Sequence, residues 1–207
     1  GDGMKRKKLL ALITLAAGLA LAQATDNHTV TVNIPSVLQL AIDATDFAFN
    51  FGDTSLNGSE TVTVGGTSYT KASLAAYTAF LDGASTTQDF APTSVTGTGG
   101  NDYATATVRT NRGQWTVKID AIAGTLPPPL SNGRLKVFAQ KVSGKGTSAT
   151  SSPTPLAANT PLFSAASSGP GKSVYRIYYL ITMDQNDDIP LSGYSGSITV
   201  NYLLTSP

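Results

Sequence analysis

Residues 191–204 read LSGYSGSITVNYLL. Tyr194, Ile198, Val200, Tyr202 and Leu204 fall on alternate positions, with serine, threonine and asparagine on most positions between. A period of two is the signature of a half-buried β-strand, one face on a core and one in water. Pro190 and Gly193 set this strand off from the one before it by a tight turn. A weakly held terminal strand would fray, so the pattern predicts a last strand lying inside its sheet.

Working back along the chain, SVYRIYYLITMD (173–184) is apolar on both alternating sets, which predicts a strand buried on both faces. RLKVFAQKV (134–142) and QWTVKIDAI (114–122) each put apolar residues on one face; Trp115, Val117 and Ile119 form that face in the second. YATATVRTN (103–111) alternates small and polar residues and reads as an edge strand. TVTVGGTSYT (61–70) is a hairpin around Gly65-Gly66, a pair that accepts the positive φ angles of a tight primed turn. Phe47, Phe49 and Phe51 share one face and are expected in the core. In residues 71–84, Leu74, Tyr77, Phe80 and Leu81 recur at three and four, predicting a short helix that ends near Gly83. Residues 85–101 and 143–172 are polar and read as loops, the second anchored by Leu156, Leu162 and Phe163. About nine strands and one short helix predict an all-β fold, an immunoglobulin-like or jelly-roll β-sandwich.

The N-terminal residues stand apart. Gly1, Asp2 and Gly3 precede Met4 and read as a vector- or start-derived extension. From Met4 a basic run, MKRKK, leads into an apolar run and a small-residue end at Ala22 and Ala24, the three parts of a secretory signal peptide. The apolar run is about 14 residues, short of the ~20 that span a bilayer. Residues 1–24 are therefore expected to direct export, with cleavage after Ala24; an uncleaved segment would be the sole contact with a membrane. Residues 36–207 are expected to form one domain.

Residues 1–24 carry four of the 14 basic and one of the 13 acidic residues, so the remainder has a net charge of −2. That leaves no basic patch for nucleic acid. Cysteine is absent, which removes disulfides and thiolate metal sites. His28, the sole histidine, lies near the N-terminus and Glu60 is the sole glutamate, so no nucleophilic triad or histidine metal site can be built around a second histidine. The expectation is a protein that is not an enzyme and takes no cofactor.

Three binding candidates remain. Asp184, Asn186, Asp187 and Asp188 offer oxygen ligands of the kind calcium takes, but lack the glycine and distal glutamate of an EF-hand, and an acidic turn explains them equally. Trp115, Tyr175, Tyr178, Tyr179 and Tyr194 are aromatic rings that would stack on a surface glycan if exposed, or pack as core if not. Asn27-His28-Thr29 and Asn57-Gly58-Ser59 match the glycosylation sequon. The third candidate is the arm, residues 25–35, where Val30, Val32 and Ile34 alternate with Thr29, Thr31 and Asn33 before Pro35. It is either the first strand of its own domain or a strand that adds to the open sheet of a neighbour, making a homo-oligomer or filament.

The run through Pro190, Gly193, Tyr194, Ser195, Ile198, Thr199 and Val200 resembles the end of bacterial secreted fimbrial-type domains, in the families of spore coat protein U and adhesive pilus subunits. The resemblance covers about 30 of the 183 residues after Ala24. Those families often carry a cysteine pair, which this chain lacks. It implies an extracellular structural subunit or adhesin.

Overall fold

A computed structural model describes residues 26–207; the signal segment expected at 1–24 lies outside the described residues. Two units are distinct along the chain, one ending at Ile34 and the other running from Pro35 to Pro207. In the first, residues 26–34 form no strand and are exposed. The second is an antiparallel β-sandwich.

One sheet has β1 (Leu38–Ile42), β7 (Ala104–Thr110), β13 (Gly171–Asp184), β9 (Leu135–Ser143) and β11 (Thr154–Pro155) in that order. A sixth strand, β5 (Thr87–Phe90), continues along the β7 side of β13, with Ile181 opposite Phe90. The facing sheet has the order β10 (Thr147–Ser148), β12 (Thr160–Ala165), β8 (Trp115–Ala123) and β14 (Thr199–Thr205). Inward side chains of both sheets make one core: Ala104, Val108, Tyr175 and Ile177 from the first, Trp115, Val117, Ile119 and Phe163 from the second. The Phe163 and Tyr175 rings stack across the sheets at 3.9 Å. Alternation of period two on both inner faces is what a sandwich requires.

β13 is buried on both faces, as its two apolar sets predict. Its outer face is covered by the hairpin of β3 (Thr61–Val64) and β4 (Thr67–Thr70), whose Val62 and Val64 pack with Phe138, Tyr178 and Leu180. Gly65 and Gly66 turn that hairpin at φ 58° and 87°, the left-handed angles a type I′ turn needs at both central positions. α1 (Leu74–Asp82) begins at Ser73, whose hydroxyl accepts the Ala76 N–H at 3.1 Å. It buries Ala76 and Phe80; Leu74 and Leu81, expected on its inner face, are exposed.

Four expectations are corrected. β7, expected at an edge, lies between β1 and β13, because Ala104 and Ala106 are small enough to sit fully buried beneath larger neighbours. The polar stretches at 85–101 and 143–172 contain β5, β6 (Ser94–Thr96), β10, β11 and β12; these hold a place by backbone pairing and a few anchors such as Phe90 and Phe163. Phe47, Phe49 and Phe51 pack against the core but are only half-buried. β14 is not inside its sheet. It pairs with β8 on one flank, no described strand pairs with the other, and Val200, Tyr202 and Leu204 are half-buried.

Burial has a consequence at high pH. The Tyr175 phenol donates to the Lys145 carbonyl at 2.9 Å, and burial pushes its pKa up to about 12. An unfolded tyrosine titrates near 10. Between about pH 10 and 12 the unfolded state therefore loses a proton that the native state keeps, and stability falls as pH rises. Urea midpoints at pH 8, 10 and 11 are expected to drop with a shallower slope for Tyr175→Phe than for the parent; equal slopes would contradict this.

Candidate functional site

The last two corrections meet at one place. A groove of about 950 Å³ opens between the chain of residues 42–52 and that of residues 189–202. The first wall is the end of β1, then β2 (Asp46–Ala48), which pairs with β6, then Phe49 to Gly52. The second wall includes Ile198, just before β14, and Val200 and Tyr202 within it. Leu126, Leu130, Leu135, Tyr179, Ile181 and Met183 form the floor.

Local bonds hold each wall in place. The Asp43 carboxylate accepts the Thr105 N–H at 2.6 Å and fixes the chain as it leaves β1. Phe47 lies against Tyr179 with ring centroids 4.7 Å apart, and Phe51 against Phe90 edge-to-face at 5.1 Å. On the other side Tyr194 donates its phenol proton to the Pro127 carbonyl at 2.8 Å. Gly196 permits that approach, since a Cβ there would meet Pro127 Cδ at 2.7 Å. The Asn132 side chain spans the floor loop, accepting from Leu126 N–H and donating to Gly124 C=O. Gln185 Nε2 donates to the Phe80 and Gly83 carbonyls, joining the chain after β13 to the end of α1.

The Tyr179 and Tyr202 hydroxyls are 2.6 Å apart and link β13 of one sheet to β14 of the other. Burial, then the Tyr202 hydroxyl beside it, holds Tyr179 well above the ordinary phenol range; burial pushes Tyr202 up to about 12. Both stay neutral, so the pair acts as a hydrogen-bonded tie between sheets. Asp46 is the one charged residue in the groove lining. A surface of this kind accepts apolar side chains and uncharged backbone, and offers little to a phosphate or a cation.

The arm is a separate candidate. Val30, Val32 and Ile34 are 73%, 71% and 78% exposed. Three large apolar side chains on alternate positions, outside any sheet, form a strand pattern without a strand partner.

The remaining candidates fall differently. Asp187 accepts a two-pronged contact from Arg134, at 2.7 and 3.0 Å, and also the Asp184 N–H. Asp184 accepts from the Asn186 backbone and side chain, which lowers its pKa below the ordinary carboxylate value. Asp188 is exposed beside them. Asp184, Asn186 and Asp187 make a hydrogen-bonded turn closed by an arginine, and no cluster of three acidic or histidine ligands occurs among the described residues. Trp115, Tyr175, Tyr178 and Tyr179 are buried, and Tyr194 is half-buried against Pro127, so these rings do not form a stacking platform. Asn57 is engaged in a turn, its side-chain oxygen accepting from the Ser59 N–H and hydroxyl.

Periodicity found the arm and the Phe47-Phe49-Phe51 face. It missed Leu126 and Leu130, which sit in a proline-rich bend with no repeat to reveal them. Comparison of this chain with protein-family models, with curated proteins and with solved structures returns no match, so its function is argued from its own residues.

Proposed function

We propose that this protein is a non-catalytic, exported structural subunit of a surface filament or layer, whose subunits are joined by β-strand addition through residues 25–34. The observation that carries the reading is the exposure of Val30, Val32 and Ile34 on alternate positions of a segment with no strand partner. Single exposed apolar residues are ordinary, but a contiguous alternating set on an extended segment marks an interaction surface. Main-chain hydrogen bonds supply affinity in strand addition, and alternate side chains supply specificity. The signal-peptide pattern of residues 4–24 supports export. The scarcity of histidine and glutamate supports a structural rather than a catalytic role.

Negative-stain imaging and size-exclusion chromatography of the exported protein test the reading. Filaments or a ladder of oligomers are expected, and a form lacking residues 25–34 is expected to run as a monomer. A uniform monomer for the intact protein, at concentrations up to the micromolar range and beyond, would refute it.

A further inference from the structure

The net charge of −2 after residue 24 hides an uneven distribution. Lys71, Lys118, Arg134 and Lys136 each pair with an aspartate. No aspartate or glutamate occurs in residues 103–117 or 135–183, the stretches that supply β7, β9 and all of β13 but its last residue. The outer face of the first sheet therefore presents cations without carboxylates. We propose that this face, from Arg109 and Lys172 to Arg176, binds an acidic polysaccharide, a sugar polymer that carries carboxylates at intervals. The site is independent of the arm and of how subunits join.

Three segments of backbone bring one cluster of cations together. Arg109 on β7 stands opposite Lys172 on β13, and both side chains are exposed, alternating with the inward Val108 and Ser173. Like charges directly opposed on an antiparallel pair are destabilising. Lys145 adds a third: its N–H donates to the Ser173 hydroxyl at 2.8 Å, and Gly144 before it lies against the Lys172 carbonyl, where a Cβ would collide. Among the described residues no carboxylate pairs with Arg109, Lys145 or Lys172. An anion bridging them relieves a repulsion that the fold itself leaves in place.

Arg176 supplies a second point of attachment. It lies on the same face of β13, four residues or about 13 Å along the strand from Lys172. Its guanidinium stacks on the Tyr103 ring, 4.5 Å from the centroid, in a hollow of about 300 Å³ lined also by Thr61, Thr63, Asn101 and Tyr178. Asp102, the one acidic residue of that lining, is held by Lys71 at 2.6 Å. A guanidinium fixed flat on a ring, with no carboxylate partner of its own, offers the planar fork that takes a carboxylate in two bonds. Between the two points, Thr107 flanks Val174 and Thr105 and Gln140 flank Arg176, so hydroxyl and amide groups face the sugar hydroxyls of the interval.

The spacing selects the class of polymer. Duplex DNA carries one charge per ~1.7 Å of its axis and is met by densely set cations. An anionic bilayer attracts clusters of about four to eight adjoining lysines and arginines. Cationic points about 13 Å apart, with uncharged polar residues between, match a chain whose charges are sparse and whose remaining surface is hydroxyl.

Binding of the whole protein to immobilised polygalacturonate, with neutral dextran as control, at about 0.15 M salt tests the proposal. Retention on polygalacturonate and none on dextran is expected. Arg109→Gln/Lys172→Gln is expected to weaken binding by about tenfold or more, and Arg176→Gln by about fivefold. Arg176→Lys, which keeps the charge and loses the fork, is expected to recover less than half of that effect. Lys118→Gln, on the facing sheet, is expected to bind as the parent does. Thermal unfolding separates these effects from misfolding: the Arg109→Gln/Lys172→Gln form should melt no lower than the parent, because it loses only a repulsion. Absence of binding to polygalacturonate, or a loss from Lys118→Gln equal to that from the double variant, would overturn the site. Tighter binding to double-stranded DNA or to anionic phospholipid vesicles than to polygalacturonate would overturn the assignment to a polysaccharide.

Discussion

Conversion of Val30, Val32 and Ile34 to serine is expected to weaken subunit association by at least a thousandfold while leaving the folded monomer intact. Burying one valine or isoleucine side chain stabilises by about 1.5–3 kcal/mol. Removing three such contributions withdraws roughly 5 kcal/mol or more, and every ~1.4 kcal/mol is a factor of ten in affinity. The monomer has nothing comparable at stake, since all three side chains are at least 71% exposed. Substitutions at such positions shift stability by about 0.5 kcal/mol or less. Analytical ultracentrifugation paired with thermal unfolding reads both quantities. A drop in Tm matching the loss of assembly would instead make the arm part of its own domain's fold.

The largest loss of stability is expected from Trp115→Ala. The indole is 1% exposed and lies edge-to-face with Phe163, ring centroids 6.2 Å apart. Its N–H donates to the Gly169 carbonyl at 3.0 Å, pinning the long connection before β13 to the start of β8. Truncating a buried tryptophan to alanine costs about 3–5 kcal/mol, a large share of the ~5–15 kcal/mol that holds a typical domain. Trp115→Phe keeps most of the volume but leaves the Gly169 carbonyl without its donor, which costs about 1–3 kcal/mol. The two variants should therefore rank parent, phenylalanine, alanine in urea midpoint. Circular dichroism is the appropriate signal, because Trp115 is the only tryptophan in the chain. An alanine variant as stable as the parent would contradict the packing of the two sheets at this point.

Much of the fold was legible because hydrophobic period reports burial directly. The doubly apolar SVYRIYYLITMD became the central strand β13, the Trp115-Val117-Ile119 face became core, and Gly65-Gly66 turned a hairpin. Strands such as β10 and β11 were not legible, since two-residue pairings of threonine, serine and proline carry no period to detect. β7 was misplaced because alanine signals neither burial nor exposure; its neighbours decide.

The terminal strand shows the limit most clearly. Alternation in Ile198, Val200, Tyr202 and Leu204 says that one face meets apolar surface, and the structure agrees. Alternation says nothing about how many strands flank it. β14 was therefore expected inside a sheet when it stands at an edge. The arm has the converse property: Val30, Val32 and Ile34 have the alternation and lack the sheet. The arm's pattern is readable in the sequence, whereas the groove appears only in the structure, where Phe47, Tyr179 and Val200 line it together.

Strand addition through residues 25–34 is most directly tested by hydrogen–deuterium exchange on the assembled protein and on the triple-serine monomer. In the assembly, amides of residues 28–34 should become protected. In the monomer they should exchange within seconds, with β13 slow in either state. Equally fast exchange of residues 28–34 in both states would contradict the account.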